Sequence, residues 1–379
     1  MNGLRTARIL SSLVGLHLMR MAGLLTLSCG VSFSSCVLAQ DASPAPAPAE
    51  SPSETSVPES SQQLILVIGA PGTEEYATKF KTWAERWEEA AQRAGITCTV
   101  IGKNHSVPSA PVKPAGASEP VSAQASEPEE TDAAKLEQAI EGLSRSKSSE
   151  PLWIVFLGHG TFDGRTASWN LHGPDITAEQ LASTCQKLQR PVATVVCSSC
   201  SAPFINTLSG PDRIVVTATK DGNQIQYSRF GDAMSIAIST LEADINRDGQ
   251  TSLLEAWLFA SRRTAEFYKT EGRLATEHSL IDDNGDGKGV RSELYVGDRI
   301  AENAENPELI DGRIAARWHF VRSDEERRLT AEQREKRDVL EAQLEKLREQ
   351  KNSLPEQEYL KQLEIIAVQL AEIYEAAGK

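Results

Sequence analysis

Two short stretches of this chain carry the side chains best suited to making and breaking bonds. "IVFLGHG" (Ile154 to Gly160) is a continuous apolar run that ends in an imidazole set between two glycines. His159 can exchange a proton near neutral pH. Gly160 lets a substrate backbone come close and offers an N–H to a developing oxyanion. "VVCSSCSAPF" (Val195 to Phe204) is a second apolar run, and it ends in a turn rich in thiols and hydroxyls. In extended chain Cys197 and Ser199 share a face and Cys200 points away. An imidazole and a thiol or hydroxyl at neighbouring strand ends could carry out covalent acyl transfer. The same turn has a second reading, in which Cys197 and Cys200 form a thiol–disulfide exchange pair with one thiolate favoured at a following helix N-terminus.

A different chemistry is written in the acids. Asp244, Asn246, Asp248, Ser252 and Glu255 stand at the first, third, fifth, ninth and twelfth positions of a twelve-residue loop, with Gly249 at the sixth. Gln250 supplies the main-chain carbonyl of the seventh. This is the oxygen-donor spacing of an EF-hand loop, and the expected ligand is Ca2+. A second loop begins at Asp282, with Asn284, Asp286 and Gly287 in place, the carbonyl of Lys288, and Glu293 closing. Thr251 and Gly289 replace the usual branched apolar residue at the eighth position, and Val290 offers no side-chain donor at the ninth. The first loop is therefore expected to bind more tightly, and the distance between the two starts suits a packed EF-hand pair.

The elements that must hold these groups follow from hydrophobic periodicity. "LILVIGA" (Leu64 to Ala70), "ITCTVIG" from Ile96, "LWIVFLG" (Leu152 to Gly158), "VATVV" from Val192 and "RIVVTAT" from Arg213 read as buried strands. Between the first two, Tyr76, Phe80, Trp83, Trp87 and Ala90 recur at helical spacing over Glu74 to Arg93. Ala133 to Leu143 is a second helix, Thr177 with Gln180 opens a third through a capping box, and Leu254 to Tyr268 leaves the first acidic loop as an amphipathic helix. Strands alternating with helices predict an α/β fold with a mostly parallel sheet flanked by helices, whose ligands gather at the carboxyl ends of the strands. After Thr330, Leu340, Leu344 and Leu347 form one stripe. Tyr359, Leu363, Ile366, Leu370 and Ile373 form another, and a fresh helix start with its own capping pair is read at Ser353 to Glu356. These predict an antiparallel helical hairpin, a surface that could also receive a coiled-coil partner.

With these elements in order, the chain resembles the caspase-like superfamily of cysteine peptidases, which includes the legumains. The likeness rests on "IVFLGHG", on the apolar strand before the thiol-rich turn, and on "RIVVTATKDG" downstream, and it spans Gln62 to Tyr268. It implies a protein or peptide substrate, a histidine that orients attack, a thiolate that adds to the peptide carbonyl, and backbone N–H groups that hold the oxyanion. Many members read Val-Val-Asp-Ser-Cys-His-Ser-Gly-Gly-Phe at this turn. Laid on that pattern without gaps, Ser199 takes the nucleophile position, Cys197 falls two residues early and Cys200 one residue late. A working peptidase and an inactive relative that keeps the fold for binding are both compatible with this departure.

The remaining sequence sets the context. A formal charge of −14 argues against general nucleic-acid binding. Arg5, Arg8 and Arg20 flank an apolar stretch that ends in "VLA" before Gln40, the pattern of an export signal, with a membrane anchor as the alternative. Residues 1–39 thus read as a signal peptide, and the protein as periplasmic or extracellular with no lasting transmembrane span. Residues 40–61 read as a Pro/Ser/Ala linker, 62–240 as the α/β domain with a flexible insertion at 103–131, and 241–295 as the calcium module. A connecting segment, 296–329, leads to the hairpin at 330–379. Four cysteines survive signal removal, too few and too dispersed for a disulfide scaffold.

Overall fold

Long runs of β-branched and aliphatic residues, buried on both faces, build the centre of the molecule. The computed structural model describes residues 60–103, 130–145, 147–301 and 304–378. The signal peptide, nearly all of the linker and most of the insertion lie outside the described residues. Residues Ser56–Lys379 form one compact unit. β1 (Ser60–Ile68) begins two residues inside the stretch read as linker; α1 (Glu74–Ala94) and β2 (Ile96–Ile101) follow. Next come α2 (Asp132–Ser144), β3 (Leu152–Leu157), a small three-stranded sheet of β4 (Gly160–Phe162), β5 (Ala167–Trp169) and β6 (Ile176–Thr177), α3 (Ala178–Cys185) and β7 (Val192–Cys197). Then α4 (Pro203–Leu208), β8 (Arg213–Thr217), α5 (Phe230–Ser239), α6 (Leu253–Thr270) and β9 (Leu280–Asp282) complete the core.

The main sheet has the order β2-β1-β3-β7-β8-β9. All neighbouring pairs are parallel except β8 with β9. Parallel neighbours need long crossovers, and the helices supply them on both faces. Period-two alternation divides each strand between two cores. Leu64, Leu66, Trp153, Val155, Val195 and Cys197 face α1, α5 and α6. Ile65, Val67, Ile154, Phe156 and Val196 face α2, α3 and α4.

Local signals read from the sequence are realised at the helix starts. Thr177 and Gln180 form the capping box of α3, and Gly95 ends α1 in the left-handed conformation. The tail folds as α7 (Asp324–Arg328), α8 (Ala331–Glu349) and α9 (Glu356–Ala377). Leu347 on α8 and Ile366 on α9 are buried. One detail differs. Pro355 is the N-cap of α9 and no side chain caps it, because the Ser353 hydroxyl donates back to the Gln350 carbonyl at the end of α8 (2.8 Å). Among the described residues no helix is long and apolar enough to cross a membrane.

Candidate functional site

The parallel register sets Leu157 of β3 directly beside Cys197 of β7. His159 and Ser199, each two residues further on, therefore emerge at adjacent strand ends. Their side chains are not hydrogen-bonded to each other. The Ser199 hydroxyl donates to the Gly160 carbonyl (3.0 Å) and lies 3.4 Å from the Gly160 N–H, so the backbone of the His-Gly turn holds it. The His159 ring instead bonds to the Pro71 carbonyl, and burial lowers its pKa, which the Pro71 bond only partly offsets. Tyr76, Phe80 and Tyr227 wall the imidazole, with ring centroids at 4.8, 5.2 and 6.3 Å. Among the described residues no side-chain oxygen or sulfur is hydrogen-bonded to it.

Gly160 is required by this close approach. A Cβ there would stand 2.5 Å from the Ser199 carbonyl oxygen and 3.0 Å from Ser198 Oγ. The first obstacle is backbone and cannot swing aside. Gly160→Ala is expected to cost about 1–3 kcal/mol, the range of overpacking, read as a lower urea midpoint at an unchanged m-value; an unaltered midpoint would show that the two turns are free to part.

The thiols lie elsewhere. Cys197, the last residue of β7, is fully buried in the core beside Trp83 and Gly231, and burial drives its pKa upward. The chain then leaves the strand, and Cys200 takes a left-handed φ of 55°, which ends the alternation expected through this turn. Cys200 is also buried, with its pKa raised by burial, and its N–H bonds to the Gln224 carbonyl. All four described cysteines are free thiols. Raised thiols are the reverse of what nucleophilic attack or disulfide exchange requires.

The turn after β7 is locked to the end of β8. Thr219 Oγ1 accepts from the N–H groups of Ser201 and Ala202, and Ser201 Oγ accepts from those of Ala218 and Thr219. Tyr227 is held in place by its neighbours, since the buried Glu277 carboxylate accepts from the Ser228 hydroxyl and the Arg229 and Phe230 N–H groups. Neither Tyr227 nor Glu277 carries a local sequence signal. Both sit in loops and reach the site only through tertiary contacts.

The first acidic loop runs between α5 and α6, a helix-loop-helix. Ser252 caps α6 in a box with Glu255, whose buried carboxylate also accepts from Ile245 N (2.9 Å) and Asn246 N (3.1 Å). Asp244 accepts from Asp248 and Gly249 N–H groups, Asn246 Oδ1 from Asp248 N, and Asp248 Oδ1 from Gln250 N. The Gln250 side chain turns away to accept from Ser323 N, leaving its main-chain carbonyl for the seventh position.

The second loop is entered from a strand, β9, and left through a 3-10 turn at Ser292–Leu294. The two loops do not form the expected packed pair. The first bridges through Ser252 to His319, and the second closes on itself between Ile281 and Val290. Helical spacing could not separate these cases, because Leu280–Asp282 is recruited by β8 across the sheet edge. Glu293, the expected closing acid, has a side chain 62% exposed and 3.9 Å from Arg291. Asn284 and Asp286 are exposed, whereas Asp282 is buried, and burial raises its pKa. Among the described residues no three His, Cys, Asp or Glu side chains converge to hold a metal. A cation at either loop would draw on amide, hydroxyl and main-chain oxygens as well, as hard cations do.

No protein-family model matches the sequence, and no curated protein matches it. Among solved structures the chain is similar to the Drosophila initiator caspase Dronc, at 13% identity over 61% of this chain and 82% of that one, with a TM-score of 0.36. It is similar to caspase-1 from Spodoptera frugiperda at 10% identity, over 61% and 89%, with a TM-score of 0.36. A protein from Geobacter sulfurreducens matches at 10% identity over 61% and 97%, with a TM-score of 0.35.

Proposed function

We propose that this chain is an exported binding protein with a caspase-like α/β fold, whose rim at His159 receives peptide without cleaving it and whose acidic loops take up calcium. The observation that carries the non-catalytic reading is the Ser199 hydroxyl. At the position where the resemblance places a nucleophile, it is spent on the Gly160 backbone rather than on the imidazole. A serine without an oriented base is a weak nucleophile. Cys197, buried in the core, does not reach the rim, and Cys200 is likewise covered. What remains there is an aromatic-walled histidine between two glycine turns, with the Lys79 ammonium 4.9 Å from the Tyr227 ring. Such a surface can recognise an extended peptide by stacking and backbone hydrogen bonds. The N-terminal basic-apolar pattern supports export, and the donor spacing of the loops supports calcium.

The test is covalent labelling of the mature protein in excess calcium, with a peptidyl acyloxymethyl ketone for thiols and a fluorophosphonate for serine. Intact mass is expected to show no adduct on native protein, while iodoacetamide modifies the cysteines once the chain is unfolded. An adduct on Ser199, Cys197 or Cys200 that disappears in His159→Ala would overturn the non-catalytic reading. Peptides selected from a library on immobilised protein are expected to lose binding in Tyr227→Ala; failure to recover any peptide would remove the binding role.

A further inference from the structure

The two acidic loops share one conformation and differ in where they take their last acid. At the fourth and sixth positions, Arg247 and Gly249 have φ of 62° and 89°, and Gly285 and Gly287 have 79° and 73°. Third-position amides do the same work, since Asn246 Oδ1 accepts from Asp248 N at 2.9 Å and Asn284 Oδ1 from Asp286 N at 2.8 Å. Fifth-position carboxylates accept from the seventh N–H in both. In the first loop the closing acid Glu255 accepts from the second and third N–H groups at 2.9 and 3.1 Å. In the second loop the N–H groups of Asp283 and Asn284 are taken, at the same 2.9 and 3.1 Å, by a residue outside the loop. That residue is Asp311.

Asp311 is 1% exposed and Asp282 is 0% exposed. One carboxylate oxygen of each, Oδ2, is buried and accepts no hydrogen bond at normal distance, although the Ser209 hydroxyl lies near enough to Asp282 to favour its charged form. Buried carboxylate oxygens are costly to leave unpaired unless something compensates them. Asn284 and Asp286 lie on the open side of the same loop, so the buried acids form a floor beneath a solvent-facing rim.

We propose that the second loop is a split site for a divalent cation of calcium's size, closed by Asp311 from the downstream segment in place of Glu293. Its donors would be Asp282, Asn284, Asp286, the main-chain carbonyl of Lys288, and Asp311, which the cation itself would have to draw together, since the three carboxylates do not converge among the described residues without it. This rests on the calcium reading of the loop and names the ligand set that completes it. The split arrangement gives the cation a role that a self-contained loop lacks. Asp283 Oδ2 accepts from the Ile314 and Ala315 N–H groups, and the Tyr295 hydroxyl donates to the Asp311 carbonyl. A cation gripped by both segments therefore staples the region around Asp311 to the β9 edge of the sheet.

The experiment measures calcium by calorimetry and by terbium luminescence on the full mature protein carrying Glu255→Gln to silence the first loop. In that background one site is expected to remain. Asp311→Asn, which keeps the oxygen that accepts the two N–H groups, should weaken it by roughly 10- to 100-fold, the loss that follows removal of a charged donor. Asp282→Asn should do the same, and Glu293→Gln should leave it unchanged. Calcium should also protect residues 296–329 from limited proteolysis in the parent and not in Asp311→Asn, with circular dichroism confirming that both are folded. Loss of the site with Glu293→Gln while Asp311→Asn retains it would overturn Asp311 as the closing acid. No calcium binding in the Glu255→Gln protein would instead remove the second loop as a cation site altogether.

Discussion

Arg337→Ala is expected to destabilise the fold by about 3–5 kcal/mol, the cost of stranding a buried charge. Arg337 on α8 and Glu326 on α7 have side chains only 3% and 2% exposed, and their ion pair measures 2.7 Å. Burial works against the guanidinium charge, but Glu341, Asp338 and Glu326 outweigh it and raise its pKa. Removing the arginine leaves the buried Glu326 without its ion-pair partner, with only the Arg322 and Arg334 charges to offset it. This differs from the exposed pairs of α1 and α8, such as Lys79–Glu75 and Lys336–Glu332, which contribute little. The control is the paired replacement Arg337→Met with Glu326→Leu, which removes both charges and should recover most of the loss. Urea unfolding followed by circular dichroism reads both. A single-variant loss below about 1 kcal/mol would mean that water reaches Glu326, and the hairpin would then be held by its leucine stripes alone.

His319 should make stability fall steeply in acid. Its ring is buried, and burial, followed by the Arg337 and Arg322 charges, lowers its pKa to about 3, against a weaker opposing bond to the Arg317 backbone. In the unfolded chain the same imidazole protonates near pH 6.5. Between those values the unfolded state holds a proton that the folded state refuses, so stability is complete above about pH 6.5 and is lost as pH falls, by about 1.4 kcal/mol per pH unit for one group. Other groups act in the opposite sense, because burial raises the pKa of Glu341 to about 7 and that of Asp311 to about 8; their contributions are lost as pH rises. The measurement is therefore a difference. The stability of the parent minus that of His319→Gln should be constant above pH 7 and decline below 6.5 with the stated slope. A flat difference would mean that His319 is protonated or exposed in the folded protein.

Both residues lie in the stretch that sequence reading left as a connector and a hairpin, and this marks where such reading ends. Apolar runs such as Leu64 to Ile68 and Leu152 to Leu157 announced strands because burial on both faces removes the polar half of the alternation. The helix start at Thr177 was legible because capping is settled within four residues. The meeting of His159 and Ser199 at neighbouring strand ends followed from the same parallel pattern. The turn geometry of the first acidic loop was legible for a related reason, since its contacts and the Ser252–Glu255 capping box are local to one turn and one helix start.

Tertiary structure decided where each of these groups lies. Cys197 and Ser199 share a face only while the chain stays extended. β7 ends at Cys197 and the chain bends at Ser198, which ends that condition, leaving one group in the core and the other against Gly160. The aromatic wall around His159 comes from α1 and from the segment before α5, distant in sequence and with no common period. Asp311 reaches the second loop from a turn far beyond it, while Glu293, correctly spaced, points to solvent. Spacing governs contacts that one helix turn or one strand can make by itself. A carboxylate that arrives across space is chosen by the packing of whole elements, and no periodicity along the chain records it.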